Sequence, residues 1–402
     1  MEIEPTYDEL FQDKLIFESI GRGSYYEETY PELVRKRNRK PTRFVKYILN
    51  AEQEIRKKHN KRGNLLFLEH TFENIARNLN KNYNIYLLHD SINIYKDYRN
   101  QKYYQHFYRT WLKEIDKSFI THNMSYALGA MKQVESFLVN NDIDLVFTGN
   151  DKMFMEKLLL TASKNVNIQT VVIQHGIYTD EVSFEKLKTA DTAENFWTWS
   201  QYVKDCYLRR YGKKDSCVKV IGYPFDLLEP SKGSSKAVLF IGNNYRKGDS
   251  IEGSKFIKVA KVVLDVCNEL NIPFYYRPHP GEIVDSEYGD ILNHISRSNK
   301  LLEDIANARI VVGDISSVMV EAGLCRKHVI QIMWNQLSRT ASTDPLYGFT
   351  IKVNEARGEI REAICQCLNS DVENEIDEYY LYRNQSFFDD INKYVDELIR
   401  NK

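Results

Sequence analysis

The sequence lacks a long apolar run, an excess of one charge and a regular cysteine pattern. No stretch reaches the roughly 18 apolar residues of a membrane-spanning helix, and the start, Met1-Glu-Ile-Glu-Pro5, is acidic where a signal peptide is basic. With 55 Lys and Arg residues against 56 Asp and Glu residues, the chain has no global basic field for nucleic acid. The six cysteines show neither metal-ligand spacing nor a secreted-domain framework. We therefore expect a globular, cytoplasmic protein.

Two nucleotide-binding signatures are also missing. Neither half of the chain has Gly-x-Gly-x-x-Gly after its first predicted strand, and there is no Gly-x-x-x-x-Gly-Lys. These glycine patterns let the backbone approach the phosphates of a dinucleotide or of ATP. Their absence weakens the case for a dinucleotide oxidoreductase and for an ATPase. We expect no bound cofactor.

The chain is rich instead in short apolar runs that alternate with helical patterns, which is typical of parallel sheets. The alternation restarts after a linker-like segment, Glu229-Pro-Ser-Lys-Gly-Ser-Ser235. A chain of 402 residues suits two domains. We predict an α/β protein with two Rossmann-like domains facing each other across a cleft, residues 1–230 and 236–385. A C-terminal helix, residues 386–402, is expected to pack back on the first domain.

Two stretches of the first half carry further expectations. Residues 91–141 are polar and aromatic with helical spacing, which predicts two helices. Residues 35–46 hold a basic cluster that begins Arg35-Lys36-Arg37. The cluster is either a solvated surface or a patch that contacts anionic lipid headgroups or an anionic polymer. The second interpretation would bring the protein to the inner face of the plasma membrane.

Polar side chains follow two apolar runs of the second half. Arg277-Pro278-His279-Pro280 follows the first run, and Asp314-Ile-Ser316-Ser317 follows the second and opens a helix. The carboxyl ends of parallel strands meet at one edge, where ligands bind. Arginine, histidine and hydroxyls at a helix start all suit a phosphate. The prolines, Pro280 among them, make the first turn rigid.

Each of these side chains also has a plain structural interpretation. His279 can be a turn residue, Arg277 a surface charge, and either serine an ordinary helix N-cap. Glu321 lies one helical turn beyond Ser317 on the same face. It can accept hydrogen bonds from a ribose diol or be a surface glutamate. Two polar turns in one half favour the phosphate site.

One turn of the first half carries a candidate base. Gln174-His175-Gly176 follows an apolar run. Since the unperturbed pKa of histidine lies near neutrality, His175 is suited to take a proton from an acceptor hydroxyl. Gly176 would let the backbone turn sharply and keep the cleft open. The alternative is a structural histidine bonded within its turn.

Together these motifs resemble, in order, a group of bacterial surface-polymer transferases with the GT-B fold. Arg-Pro-His-Pro and Gly-Asp-Ile-Ser-Ser-Val-Met-Val-Glu-Ala are similar to the HP and serine motifs of that group, and Gln-His-Gly to its histidine-glycine turn. Ile221-Gly222-Tyr-Pro-Phe-Asp226 is similar to a further segment, in which Gly222 would shape the floor of the cleft. The group includes CDP-glycerol glycerophosphotransferases of teichoic acid synthesis, polysialyltransferases and capsule Kdo transferases.

The resemblance assigns roles to individual residues. In these families the histidine and the serines bind the phosphates of a CMP- or CDP-activated donor, and these roles fall on His279, Ser316 and Ser317. Polysialyltransferases use an acidic base, so Asp180 and Glu181 are rivals of His175. The loop that holds these two acids lacks the Thr-Pro-rich sequence of the glycerophosphotransferases, which counts against glycerol phosphate as the group transferred. GT-B enzymes generally dispense with a metal, and we predict no metal ligands.

The sequence thus predicts an inverting glycosyltransferase that moves a sugar from a nucleotide-activated donor onto a bacterial surface glycan such as capsule or lipopolysaccharide. A CMP- or CDP-linked donor is favoured over a UDP-linked one. The expected partners are this donor and a glycan or glycolipid acceptor, with no nucleic acid. Three alternatives stay open: a CDP-polyol phosphotransferase, a UDP-sugar 2-epimerase and an inactive GT-B-like scaffold. Epimerases typically have a Gly-Gly-containing loop before their glutamate, which residues 316–321 lack.

Overall fold

The computed structural model describes only part of the chain. The described residues are 61–68, 72–88, 102–103, 110–111, 113–114, 117, 125–149, 154–177, 193–224, 236–243, 250–279, 282, 284–296, 298, 300–314, 316–333, 350–370, 377–380, 384 and 386–400. The basic cluster at 35–46 and the linker-like segment at 229–235 lie outside them.

The first half is built on a seven-stranded parallel sheet with the strand order β3-β2-β1-β4-β5-β6-β7. Its strands are β1 Asn64–Leu68, β2 Asn84–Leu88, β3 Lys102–Tyr103, β4 Leu145–Thr148, β5 Gln169–Ile173, β6 Asn195–Thr198 and β7 Val218–Val220. Its helices are α1 Glu73–Leu79, α2 Ser125–Asn140, α3 Phe154–Asn165 and α4 Gln201–Tyr211, with a 3-10 turn at Asp215–Cys217. Most strands are buried almost throughout, as expected for a parallel sheet covered on both faces.

The second half is built on a five-stranded parallel sheet with the order β12-β11-β10-β8-β9. Its strands are β8 Val238–Ile241, β9 Phe274–Arg277, β10 Ile310–Gly313, β11 His328–Ile332 and β12 Ile351–Val353. Its helices are α5 Ser250–Glu269, α6 Leu301–Asn307, α7 Ser317–Leu324 and α8 Arg357–Asn369, with a 3-10 segment at Ser286–His294. The predicted pair of parallel α/β sheets is therefore confirmed.

The last helix, α9 Phe387–Arg400, returns to the first sheet. Its buried residues Phe387, Ile391 and Val395 belong to the same hydrophobic cluster as residues of β1 and β4. Asp396, on the same helix, accepts a hydrogen bond of 2.5 Å from the Tyr83 hydroxyl. The expectation that the terminal helix packs back on the first half is confirmed.

Two short edge strands differ from the sequence expectation. Residues 91–141 were expected to form helices only; α2 lies there, but Lys102 and Tyr103 pair with Tyr86 and Leu87 as strand β3. Strand β12, at the edge of the second sheet, was not predicted. Strands of two or three residues carry little periodicity, so pairing with the neighbouring strand decides them. Within the described part of the chain, no helix is both long and apolar enough to cross a membrane.

Candidate active site

Three strand ends of the second sheet are tied together by hydrogen bonds. Strand β8 lies between β9 and β10, so the loops that follow them are neighbours. The backbone N–H of Gly242, just after β8, donates to the carbonyl oxygen of Arg277 at 2.7 Å. The Asn243 side-chain amide donates to both carboxylate oxygens of Asp314, at 2.8 and 2.9 Å. The three loops therefore form one connected edge, which includes the predicted HP and serine motifs.

The HP turn, residues 277–280, is hydrogen-bonded to the carboxylate of Glu282, which the sequence motifs did not indicate as a candidate. Glu282 Oε1 accepts hydrogen bonds from the hydroxyls of Tyr276 and Tyr288, each at 2.5 Å. Its Oε2 accepts from the backbone N–H of His279 at 2.8 Å. Burial, followed by the nearby Glu282 carboxylate, raises the pKa of both phenols, so they remain donors near neutral pH. The His279 side chain itself is exposed at this edge.

Gly242 is required by close packing rather than by its backbone angles. A Cβ atom at this position would overlap the Glu282 carboxylate and lie 2.9 Å from both the Arg277 carbonyl oxygen and the His279 nitrogen. Real Cβ atoms do not approach other atoms so closely. Only glycine lets the loop after β8 lie against the HP turn.

Part of the Arg277 guanidinium group is already bonded to other residues of the protein. Its Nη1 lies 2.6 Å from Asp304 Oδ2 and donates to the carbonyl oxygen of Ser298 at 2.7 Å. The other oxygen of Asp304 accepts a hydrogen bond of 2.5 Å from the Ser296 hydroxyl. Arg277 thus holds the segment before α6 against β9. The predicted contact between Arg277 and a phosphate would have to use the other guanidinium nitrogens.

The two serines occupy different positions at the start of α7. Ser316 is the N-cap: its backbone is extended, and its hydroxyl oxygen accepts from the Val318 N–H at 3.3 Å. Ser317 is the first helical residue, and both side chains are half-buried. Ser316 therefore serves the structural role that the sequence left open. Ser317, with the N-terminus of the helix, lies where a phosphate could bind.

Glu321 links the two halves of the molecule. The hydroxyl of Tyr223, in the loop after β7, donates to Glu321 Oε1 at 2.7 Å. Burial raises the pKa of the Glu321 carboxyl, and burial followed by Glu321 raises that of the Tyr223 hydroxyl. Gly222, the residue before the tyrosine, has a positive φ of 84° that glycine adopts readily. The carboxyl edges of the two sheets therefore meet at this hydrogen bond.

A hydrophobic cluster surrounds this contact and contains residues of both halves. Trp199 and Tyr223 come from the first half, and their rings lie 4.9 Å apart in an edge-to-face arrangement. Ile241, Met319 and Val320 come from the second half. Because these side chains are buried together, the two halves share part of their core. The Tyr223–Glu321 hydrogen bond is consequently part-buried.

His175 lies at the carboxyl end of β5, and its side chain is exposed. The side chain of the buried Gln174 joins the His175 turn to the end of β6: its Nε2 donates to the Gly176 carbonyl oxygen and its Oε1 accepts from the Trp199 N–H, each at 2.8 Å. The Phe72 ring meets the imidazole edge-to-face, with 6.5 Å between centroids. Gln174, which precedes His175 in the Gln-His-Gly turn, therefore holds the backbone of that turn in place.

The remaining predicted residues fall into two groups. Gly176 has no left-handed backbone, and a Cβ atom there would meet nothing within 4 Å, so sterics do not demand glycine. Asp180, Glu181 and Pro280 lie outside the described residues. In the described ranges no group of His, Cys, Asp and Glu side chains is arranged to hold a metal ion.

Comparison with known proteins supplies a fold but no family. No protein-family model and no curated protein matches the chain. Among solved structures, a UDP-GlcNAc 2-epimerase from Methanocaldococcus jannaschii in complex with UDP-GlcNAc and UDP is similar, with a TM-score of 0.56 and 13% identity, over 83% of this chain and 99% of that chain. The enzyme from Neisseria meningitidis bound to UDP-GlcNAc also gives 0.56 and 13%, over 84% of this chain and 99% of that chain.

A further UDP-N-acetylglucosamine 2-epimerase structure gives a TM-score of 0.58 at 13% identity, over 85% of this chain and 96% of that chain. Identity this low shows the fold and nothing finer. The chain therefore has the GT-B-type fold of two facing parallel-sheet domains, as the sequence predicted.

Proposed function

We propose that the protein is a glycosyltransferase that uses a nucleotide-activated sugar. The observation that carries the proposal is the connected edge of the second sheet. There, His279 follows β9 and Ser317, at the start of α7, follows β10, and the loops after both strands are hydrogen-bonded to the loop after β8, which lies between them. Such a set of fixed donors at the carboxyl ends of parallel strands suits the phosphates of a nucleotide. The facing edge supplies an exposed histidine, His175, as a base.

The proposed chemistry divides between the two edges. Departure of the nucleotide leaves negative charge on phosphate, which His279, Ser316, Ser317 and the positive end of α7 would stabilise. On the other side His175 would remove the proton from the acceptor hydroxyl. Attack from the face opposite the leaving group inverts the anomeric centre. Asp180 and Glu181 remain rival candidates for the base.

The acceptor is proposed from the motif resemblance. A bacterial surface glycan such as capsule or lipopolysaccharide would be extended at the inner face of the plasma membrane. A cytidine-linked donor fits the same resemblance better than a UDP-linked one. Glu321 would then accept hydrogen bonds from the ribose with the oxygen that Tyr223 does not use, or exchange Tyr223 for the ribose.

The proposal is tested first by binding and then by transfer. Calorimetric titration with CMP, CDP and UDP should identify the nucleotide, and a screen of the matching nucleotide sugars with glycan acceptors should reveal the product. We expect binding of a cytidine nucleotide and a product of inverted anomeric configuration. His279→Ala should abolish transfer without unfolding the protein. Full activity in this variant contradicts the phosphate assignment, and no binding of any nucleotide favours an inactive scaffold.

A second candidate is a UDP-sugar 2-epimerase. The similar solved structures are epimerases with bound UDP-GlcNAc or UDP, and they are covered almost completely by this chain. Incubation with UDP-GlcNAc and no acceptor separates the candidates, because only an epimerase forms the 2-epimer. Formation of that product would replace the transferase proposal. Transfer of a polyol phosphate from a CDP-polyol to an acceptor hydroxyl, with release of CMP, would likewise favour the phosphotransferase.

A further inference from the structure

The HP turn donates a backbone hydrogen bond, from the N–H of His279, to the carboxylate of Glu282. We propose that Glu282 is the positioning residue of the phosphate side of the cleft: by accepting the backbone N–H of His279, it fixes the backbone position from which the imidazole projects. The inference rests on the proposed function, since it concerns the side chain assigned to the nucleotide phosphate. It adds to that function a residue whose contacts are all within the protein.

The chemistry of the contact requires a carboxylate. Glu282 Oε1 takes two phenol donors, from Tyr276 and Tyr288, and Oε2 takes the N–H of His279. An ionised carboxylate accepts on both oxygens and donates on neither. A glutamine could keep the two phenol bonds through its amide oxygen, but would then set its NH₂ group against the His279 N–H. The substitution Glu282→Gln therefore removes one chosen bond with almost no change of shape.

The surroundings allow the carboxylate little movement. Gly242 lies directly against it, with no room for even a Cβ atom, and the Gly242 N–H donates to the Arg277 carbonyl oxygen at the start of the turn. The backbone of Glu282 closes the turn by donating its N–H to the His279 carbonyl oxygen at 2.8 Å. Donors fixed in this way need no reorganisation when a charged group arrives. A nucleotide phosphate would thus meet a turn whose backbone at His279 is already fixed.

The chain offers a matched control at the far edge of the same sheet. Glu359, at the start of α8, also accepts a backbone N–H with its carboxylate, that of Asn354 at 3.0 Å. It follows β12, which lies at the opposite edge of the sheet from β9. Glu359→Gln therefore removes the same kind of bond away from the HP turn.

The test compares the nucleotide affinity of the two glutamine variants with that of the unsubstituted protein. Loss of a partner that orients a metal ligand typically costs about 10- to 100-fold in affinity; by analogy we expect a loss of this size in nucleotide affinity for Glu282→Gln, and no measurable change for Glu359→Gln, which lies at the opposite edge of the sheet. Glu282→Gln should lower Tm more than Glu359→Gln, because Glu282 is half-buried and accepts three hydrogen bonds whereas Glu359 is exposed. In steady-state transfer, kcat should fall and KM for the donor should rise in Glu282→Gln, because His279 would both hold the donor phosphate and stabilise its departing charge. KM for the acceptor should stay the same, which a general loss of structure would not produce.

Each outcome decides the question. Unchanged nucleotide affinity in folded Glu282→Gln overturns the inference, as does an equal loss in Glu359→Gln. If Glu282→Gln does not fold, Glu282→Asp replaces it, because a side chain shorter by one methylene cannot reach the phenols and the His279 N–H together, and the same loss is expected. Failure of the unsubstituted protein to bind CMP, CDP or UDP contradicts the proposed function itself, and the positioning role falls with it.

Discussion

The carboxyl edges of the two sheets are organised differently. On the second sheet the polar groups are bonded to one another: Glu282 to the HP turn, Asn243 to Asp314, and Arg277 to Asp304. On the first sheet the exposed His175 is supported by one buried amide, Gln174, and by the Phe72 ring. A site for the invariant part of a donor gains from fixed groups, whereas a site for a long acceptor must admit it. The contrast fits a donor side and an acceptor side.

The largest effect is expected from removing the candidate base, His175. His175→Ala should lower the transfer rate by about 10²- to 10⁴-fold, the usual contribution of a general base. Nucleotide affinity should stay the same, because His175 belongs to the edge that does not hold the donor. The measurements are the initial rate of transfer with saturating donor and the calorimetric affinity for the nucleotide.

The matching variant on the other edge is His279→Ala, which should also lose transfer but, unlike His175→Ala, should lose nucleotide affinity with it. If His175→Ala weakens nucleotide binding as much as His279→Ala does, the division into two sides is wrong. If it retains full transfer, Asp180 or Glu181 takes over as the candidate base.

Gly242→Ala tests how tightly the carboxyl edge of the second sheet, the proposed donor edge, is packed. The added methyl group would overlap the Glu282 carboxylate, so the HP turn must shift. Overpacking of this kind costs about 1–3 kcal/mol in the free energy of unfolding, and nucleotide affinity should fall with it. Chemical denaturation and nucleotide titration measure the two effects.

Gly129→Ala serves as the control for this variant. Gly129 lies within α2, and a Cβ atom there meets nothing within 4 Å. Replacing a helical glycine by alanine where there is room for the Cβ atom should raise stability by about 0.5–1 kcal/mol. Equal stability of the two variants would show that the loop after β8 can give way, and that the donor edge is less rigid than its contacts indicate.

The bond that joins the two edges should be sensitive to pH. Burial raises the pKa of folded Glu321, so the folded protein holds this proton to a higher pH than the unfolded chain, and the free energy of unfolding falls as pH rises through that interval. The Tyr223 hydroxyl opposes this shift by stabilising the carboxylate. Tyr223→Phe should therefore cost about 1–2 kcal/mol near neutral pH and less below about pH 4, where the carboxyl group is protonated.

Denaturation curves at the two pH values measure the difference. Glu321→Gln provides the control, because its neutral amide can still accept from Tyr223 but does not titrate. The Tyr223→Phe substitution should then cost the same at both pH values when it is made in the Glu321→Gln background. A pH-dependent cost that persists in that background would assign the effect to another group.

The sequence predicts the buried strands of both sheets to within a residue or two, since strands covered on both faces are continuous apolar runs. The polar turns that follow β5, β9 and β10 could be placed at the sheet edges for the same reason. The supports of these turns could not. Glu282 gains its role from Tyr276 and Tyr288 in space, and Tyr223 lies 98 positions before Glu321 in the chain. The Glu282 contacts join residues six positions apart in a turn without a repeating pattern, and the Tyr223–Glu321 contact depends on how the two halves pack, so neither has a local sequence signal.

The smallest expected effect separates the two serines that begin α7. Ser316→Ala removes the N-cap bond to the Val318 N–H and should cost about 1 kcal/mol in stability. Ser317→Ala changes a first-turn residue and should leave the free energy of unfolding within about 0.5 kcal/mol, yet it should weaken nucleotide binding if its hydroxyl contacts a phosphate. Thermal unfolding and nucleotide titration of both variants give the two comparisons. If Ser317→Ala binds nucleotide as tightly as the unsubstituted protein, the phosphate contacts at this edge are reduced to the helix N-terminus, Ser316 and His279.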